Sequence, residues 1–288
     1  MRRRAAGAPG FLAGHRDRRE RGSAAVRGEG ENVNGSYVVT GGGRGIGRAV
    51  VERLLGDGGA VVAIELDPAA LDWTAGHPAG PRLAAVVGDA ADEAVAGRAA
   101  DVAQELAPLA GWVNNAAVFR DASIHSATAR EVLDLIALNL DGAVVGCATA
   151  VRRFLAAATP GAIVNVSSHQ ARQAVVGCLP YVTAKAAMEG MTRALAVEYG
   201  PRGIRVNAVA PGSVDTERYA EFLGSRGPDE AALVEREMAL LHPIGRVARP
   251  EEVASAIVHL LSDDAAFITG ATVPVDGGRT VLARDPEG

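Results

Sequence analysis

The chain has 288 residues, enough for one large α/β domain or at most two small ones, and 48% hydrophobic residues with mean hydropathy +0.12 suffice for a sizeable core. A net charge of −5, a pI near 5.7 and only 4% aromatic residues argue against a nucleic-acid partner and against stacking platforms for bases or sugars. Two cysteines make no disulfide framework, no Cys/His set has zinc-ligand spacing, and no run of about 18 purely apolar residues occurs, so the expectation is a cytoplasmic protein with neither metal nor membrane as partner.

Residues 1–35 carry eight Arg against four acids, which leaves the remaining chain at −9, with 20 Arg and one Lys against 30 acids. This stretch lacks the apolar segment of a secretory signal and is too rich in Arg, Ala and Gly to bury itself. It is expected to be a disordered Arg-rich extension, with a transit peptide or a weak polyanion-binding arm as the alternatives.

From Ser36 onward, short apolar runs alternate with longer segments of helical spacing. Predicted strands are Tyr37–Thr40, Ala60–Leu66, Leu83–Gly88, Gly111–Asn115, Ala162–Ser167, Ile204–Val209 and Thr272–Val275, rich in Val and Ile and bounded by Gly, Pro, Asn or Asp. Predicted helices are Ile46–Leu55, Val95–Leu106, Arg130–Ala157, Tyr181–Tyr199 and Glu251–Leu261. Near-continuous apolar strands alternating with helices imply a parallel sheet covered on both faces. No linker or repeat interrupts the pattern, so residues 36–288 read as one domain. The long mixed loop 213–249, with a helical piece around Glu230–Leu241, reads as a lid or substrate wall.

The first strand runs into T-G-G-G-R-G-I-G, residues 40–47, and then into a helix. Glycines allow a sharp turn and close approach of a ligand to the backbone, and the helix start offers free N–H groups to a pyrophosphate. The stretch departs from G-x-G-x-x-G because Arg48 stands at its third Gly; no Walker-type G-K-[ST] is present. Glu65, closing the second strand 24 residues after Gly41, is placed to accept hydrogen bonds from a ribose diol and to repel a 2′-phosphate, which favours NAD over NADP. Asp89, closing the third strand, can accept from an adenine amino group.

Lys185 is the only lysine in the chain, and it follows Tyr181 by four residues in Y-V-T-A-K. On a helix the two share a face. A nearby ammonium favours phenolate and lowers the phenol's pKa, which makes the pair a general acid/base for an alcohol proton. Ser168 ends I-V-N-V-S-S thirteen residues earlier, Asn139 sits within the long predicted helix, and N-N-A-A occupies residues 114–117.

In joint order and spacing these motifs, continued by R-V-N-A-V-A-P-G-S-V-D-T and T-G-A-T-V-P-V-D-G-G, resemble the non-extended, roughly 250-residue branch of the short-chain dehydrogenase/reductase family over about residues 36–280. The resemblance implies a single doubly wound α/β domain of Rossmann type, with a seven-stranded parallel sheet and helices on both faces. It implies an NAD-dependent enzyme interconverting a small secondary alcohol and a ketone, assembled as a homotetramer or else a homodimer. Tyr181 would be the catalytic acid/base, Ser168 would hold the substrate oxygen, Lys185 would bind the nicotinamide ribose and depress the Tyr181 pKa, and Asn139 would anchor a water linking Lys185 to solvent. Gly41, Gly42, Gly43, Arg44, Gly45, Ile46 and Gly47 would cradle the pyrophosphate, Glu65 the ribose, and Asp89 with Ala90 the adenine. Asn115 and Ala116 would lie along the cofactor, and Pro211, Gly212, Val214 and Thr216 would flank the nicotinamide.

One departure from the family pattern is Ala117, where Gly is usual; a positive φ there would cost on the order of 1 kcal/mol. His169–Leu179, Phe119, Tyr219, Phe222, Leu223, Met238, Leu241 and His242 are the expected substrate walls, suited to an apolar, cyclic substrate. His169 is expected to face solvent or to pack behind the reacting groups. The alternatives in function are an NADPH-dependent ketoreductase of a biosynthetic pathway and a non-catalytic dinucleotide-binding protein.

Overall fold

A computed structural model describes residues 35–120 and 122–283; the expected extension, residues 1–35, lies outside them but for Gly35. Seven strands form one parallel sheet: β1 (Ser36–Thr40), β2 (Ala60–Glu65), β3 (Leu83–Val87), β4 (Leu109–Asn114), β5 (Gly161–Val166), β6 (Ile204–Pro211) and β7 (Thr272–Val275), in the order β3-β2-β1-β4-β5-β6-β7. Helices α1 (Gly45–Gly56) and α7 (Pro250–Leu261) cover one face; α2 (Glu93–Leu106), α3 (Ala129–Ala157) and α4 (Leu179–Tyr199) cover the other. Helices α5 (Glu217–Gly224) and α6 (Pro228–Leu241) stand in the β6–α7 connection. The chain is a single doubly wound α/β domain.

The strands are apolar along their length because both faces are covered. Their period of two sends Val39, Val113, Val164 and Val209 into the α1/α7 core, and Val38, Trp112, Ile163 and Val206 into the α2/α3/α4 core. After β1 the chain winds outward to β3, then crosses back to place β4 on the other side of β1. The loops after β1 and β4 therefore leave in opposite directions and open a crevice at the carboxyl edge of the sheet, the switch point where such folds bind ligands.

A buried polar line ties the strands to the helices beneath this crevice. The Trp112 indole donates to Asn114 Oδ1 at 2.9 Å, Asn114 Nδ2 donates to Asn165 Oδ1 at 2.8 Å, and Asn165 Nδ2 donates to the Thr192 hydroxyl on α4 at 2.9 Å. Helix α3 can lie this close to β4 because residue 146 is glycine. A Cβ there would strike the Asn114 carboxamide and come within 2.5 Å of the Trp112 indole nitrogen. A Thr128/Glu131 capping box starts α3, which is long and apolar enough to cross a membrane (mean hydropathy 1.6 over its most apolar 18 residues), yet it packs on the sheet and on α4.

The close contact at Gly146 yields a test of this packing. Gly146→Ala is expected to lower unfolding free energy by about 1–3 kcal/mol in urea titrations, and an unchanged midpoint would show that α3 does not approach β4 as described.

Candidate active site

The loop leaving β1 turns at Gly41, whose φ of +64° suits glycine, and doubles back so closely that a Cβ on Gly47 would collide with the Gly41 carbonyl. Helix α1 begins at Gly45 with Arg44 as an extended N-cap that makes no side-chain cap, and no acid stands in its first turn. Its leading N–H groups and positive dipole end are thus left for an anion. This cradle fits the diphosphate of a dinucleotide. Thr40, not singled out in the sequence, braces it: its hydroxyl accepts from the backbone N–H groups of Asn115 (2.9 Å) and Ala116 (3.1 Å). Asn115 Nδ2 donates back to the carbonyls of Thr40 and Gly41, each at 3.1 Å. The ends of β1 and β4 are therefore locked together at the floor of the crevice.

At the end of β2 the Glu65 carboxylate accepts from the Gly43 N–H at 3.2 Å and from the Leu66 N–H at 2.9 Å. Arg44 pairs with Asp67 at 2.7 Å. Asp89 is exposed and accepts from the Ala91 N–H.

Tyr181 and Lys185 lie one turn apart on α4, which starts with Pro180 in its first turn. Tyr181 is buried, and its phenol is pushed up to about 12, chiefly by that burial; a hydrogen bond with Ser168 and the charge of Arg218 act in the opposite direction. Lys185 is 1% exposed, and its ammonium donates to the Val166 carbonyl at 2.7 Å. Burial pushes it down to about 8. The sequence expectation that Lys185 lowers the Tyr181 pKa is thus not met in this structure. The ammonium lies 5.5 Å from the ring centroid, turned to a strand-end carbonyl, and desolvation of the phenol dominates. Asn139 is buried in mid-α3; its Oδ1 accepts from the Val118 N–H at 2.9 Å and its Nδ2 donates to the Leu135 carbonyl at 3.3 Å. It fastens the segment after β4 to the helix.

These groups share one cavity of about 600 Å³. Its lining includes Gly41, Arg44, Ile46, Glu65, Asp89, Ala90, Asn115 and Ala116 at one end, and Asn139, Ser168, Tyr181, Lys185, Pro211, Gly212, Val214 and Thr216 at the other. Of the residues marked from sequence, Gly42, Gly43, Gly45 and Gly47 do not line it; they pack the turn, Gly42 against Ala63 and Gly43 against Ala70. Ala117 has no positive φ and is exposed, so the alanine at this usual glycine brings no backbone strain.

The substrate walls differ in part from the sequence reading. Phe119, Val175, Tyr219, Phe222 and Met238 line the cavity, whereas Leu223, Leu241 and His242 do not. His242 is buried, holding the Met238 carbonyl at 2.7 Å and accepting from the Ser213 N–H at 3.2 Å. His169 does not face solvent: it is buried in the wall, and Nδ1 donates to the Pro211 carbonyl at 3.1 Å. Burial and the neighbouring Arg279 charge push its pKa down to about 4, so it is neutral with an acceptor at Nε2, which has no partner among the described residues. Phe119 stacks on Tyr181 with ring centroids 4.6 Å apart, and the Arg218 guanidinium lies 3.5 Å from the Phe119 centroid. Neither Arg218 nor Arg279 was marked from sequence. Arginines are so frequent here that type alone carries no signal, and only the fold shows which ones reach the cavity.

Comparison with known proteins agrees with this geometry. A family model described as enoyl-(acyl carrier protein) reductase matches residues 41–280. The cis-4-hydroxycyclohexanecarboxylate dehydrogenase of Sinomonas cyclohexanicum is 40% identical over 248 residues, covering 85% of this chain and 96% of that protein. The 2-(S)-hydroxypropyl-CoM dehydrogenase 3 of Xanthobacter autotrophicus is 35% identical over 254 residues, covering 86% and 98%. Among solved structures, an oxidoreductase of the short chain dehydrogenase/reductase family from Burkholderia thailandensis superposes with a TM-score of 0.77 at 31% identity, covering 88% of this chain and 95% of its own.

The buried ammonium has a measurable cost. In the unfolded chain Lys185 keeps its proton up to its ordinary 10.5, but in the fold only to about 8. Unfolding takes up a proton between these values, so the group destabilises fully below pH 8, by on the order of 3 kcal/mol, and the cost fades as pH rises toward 10.5. Lys185→Met is expected to be more stable than the wild type at pH 7, with the gap closing by about pH 10. Urea titrations at both pH values check this, and a gap that does not change with pH would contradict it.

Proposed function

The chain belongs to the short-chain dehydrogenase/reductase family and is a nicotinamide-dependent oxidoreductase of hydroxyl and ketone groups; from that premise we propose that its cofactor is NAD and that Tyr181 is its general acid/base. The observation that carries the reading is the convergence of Ser168, Tyr181 and Lys185 on the cavity that also contains the anion cradle of α1. When bound, the nicotinamide supplies the hydride acceptor or donor. Ser168 holds the substrate oxygen by hydrogen bonding. The Tyr181 phenol oxygen takes the hydroxyl proton in alcohol oxidation and returns it in ketone reduction. Protonated at neutral pH, it is in the form that serves reduction; as a base it is helped by the cationic charge of Arg218. Lys185 and Asn139 hold the cofactor's ribose and the proton route to solvent.

Glu65 supports NAD. Its carboxylate is held by the Gly43 and Leu66 N–H groups where a ribose diol would donate to it, and it would repel a 2′-phosphate. Arg44, lining the same cavity, is the feature that would favour NADPH and a ketoreductase, but its guanidinium is engaged by Asp67. Substrates of relatives such as the cyclic hydroxy acid dehydrogenase of Sinomonas support a secondary alcohol on a carbon skeleton suited to Phe119, Val175, Phe222 and Met238. The reading extends to a cytoplasmic homotetramer; exposed Leu133, Val144 and Leu155 on α3 and Val197 on α4 are apolar surface that such an assembly would cover.

Tyr181→Phe is expected to lower turnover by about 10²–10⁴-fold while leaving NAD affinity nearly unchanged in calorimetry; retained turnover would defeat the proposed chemistry. Lys185→Arg, which keeps the charge, should also cripple turnover. With wild-type enzyme NAD should outperform NADP in kcat/KM, and Glu65→Ala should narrow that preference. A wild type that prefers NADP would reverse the cofactor assignment.

A further inference from the structure

The two ends of the cavity carry opposite charge. The adenosine end presents the carboxylates of Glu65 and Asp89 beside an Arg44 already paired with Asp67, while the end beyond Ser168 presents the guanidinium of Arg279. Arg279 stands in the turn after β7, which is tied to the segment following Ser168 by a hydrogen bond from Gln173 Nε2 to the Thr280 carbonyl at 3.0 Å. Among the described residues its one side-chain hydrogen bond runs from Nη1 to the Ser213 hydroxyl at 2.9 Å. A guanidinium offers five N–H donors, so most of this fork is unused. No carboxylate lies within ion-pair distance of it among the described residues. The nearest acid, Asp276, is occupied by the N–H groups of Gly278 (3.0 Å) and Thr280 (2.9 Å) and by the Thr280 hydroxyl.

The surroundings do not offset this charge. Arg279 is half-buried, and burial pushes its pKa down while the charge of Asp276 only partly restores it. His169, facing it from the other wall, is neutral, and His242 behind it is engaged by Met238 and Ser213. The Ser213 hydroxyl, having accepted from Arg279, has among the described residues only the Met238 thioether at 3.4 Å as acceptor for its own proton, and sulfur accepts weakly. A cation with spare donors beside a hydroxyl with a spare proton is a receptor for a carboxylate. The same cavity is lined by Val175, Phe222, Met238 and Phe119, which suit hydrocarbon, and by Arg218, whose guanidinium is laid on the Phe119 ring at 3.5 Å.

We propose that the substrate is an organic anion, a hydroxy acid or its oxo acid, whose carboxylate is received by Arg279 and Ser213 while its hydroxyl or carbonyl oxygen meets Ser168 and Tyr181. This deepens the alcohol-oxidoreductase reading and rests on it for the reacting oxygen. The anion subsite also sets orientation, because a carboxylate at Arg279 directs the reacting carbon toward Tyr181 and away from the acidic adenosine end.

The test separates the two claims. Cyclohexanecarboxylate and its neutral counterpart cyclohexanecarboxamide are titrated by calorimetry into NAD-saturated wild type, Arg279→Met and Arg279→Lys. Hydride transfer from an alcohol panel is followed separately by the absorbance of the reduced cofactor. The wild type should bind the carboxylate about tenfold or more tightly than the carboxamide. Arg279→Met should abolish that difference, and Arg279→Lys should keep part of it; a merely structural arginine would weaken both ligands alike. Wild-type protein that shows no carboxylate preference, including binding of neither ligand, overturns the subsite whatever the variants do, and so does a preference that survives Arg279→Met. Absence of turnover with a retained carboxylate preference would count against the oxidoreductase chemistry and not against the subsite.

Discussion

The ammonium of Lys185 is buried and has, among the described residues, a single hydrogen-bond acceptor, the carbonyl of Val166 at the last residue of β5. An enclosed cation is costly unless it is paired, and one neutral carbonyl pairs it incompletely. The fold keeps it there because α4 cannot move: Thr192 is fixed to Asn165 below, and Ser167 donates to Glu189 beside it. Glu189 is in turn held from outside by Arg172. The polar line from Trp112 through Asn114 and Asn165 to Thr192 thus crosses from sheet to helix directly under the site. Stability lost at the lysine is offset by the packing of α3 and α4, which makes the Tyr181/Lys185 face of α4 the rigid element of the cavity.

Much of the fold was legible because its signals are local and repeated. Buried parallel strands must be apolar throughout, and the runs at β1, β2, β5 and β7 appear within a residue or two of their observed bounds. The helices beginning near Pro250 and ending near Tyr199 were equally plain, since a proline start and a glycine stop are written in the chain. What failed was α5. Its eight residues follow Thr216, which accepts from the Tyr219 N–H as an N-cap, but the segment is only two turns long and has no buried residue, its Tyr219 and Phe222 facing the cavity instead of the core. It forms where it does because the Thr216 side chain meets the phosphate loop beside Gly45, a contact between residues 171 positions apart.

The candidate site divides along the same line. Groups whose chemistry needs a fixed spacing, such as Tyr181 with Lys185 or Gly41 with Gly47, could be found from sequence; the cavity gathers Tyr181, Lys185 and Gly41, while Gly47 packs behind the turn. The state of those groups could not. Whether a cation lowers a phenol's pKa depends on how much water the fold removes from both, and here desolvation outweighs attraction. His169 shows the same limit: one imidazole after the Ser168 position could face either way, and only the Pro211 carbonyl, arriving from β6, fixes its tautomer and turns it inward.

The single lysine among so many arginines has a geometric explanation once the cations are compared. Arg205 spreads its guanidinium over three carbonyls at the end of α7, those of Leu260 (2.6 Å), Leu261 (3.1 Å) and Ser262 (2.9 Å). Arg82 likewise spans the carbonyls of Leu55 (2.9 Å) and Gly59 (2.8 Å). At Arg205 the acceptors form a broad cluster at a helix end, which a planar fork satisfies from two nitrogens, whereas at Arg82 the one nitrogen Nη1 serves both carbonyls. Under α4 the situation is reversed. Among the described residues one acceptor is available, the ammonium is buried, and it lies 5.5 Å from the centroid of the Tyr181 ring. A guanidinium in that slot would leave several N–H groups unpaired in a dry site, at a cost for each, whereas an ammonium on a flexible stem can turn between Val166 and the cavity. Arginine thus serves at Arg205, where several carbonyls converge at a helix end, and the one lysine stands where a cation is buried against a single carbonyl.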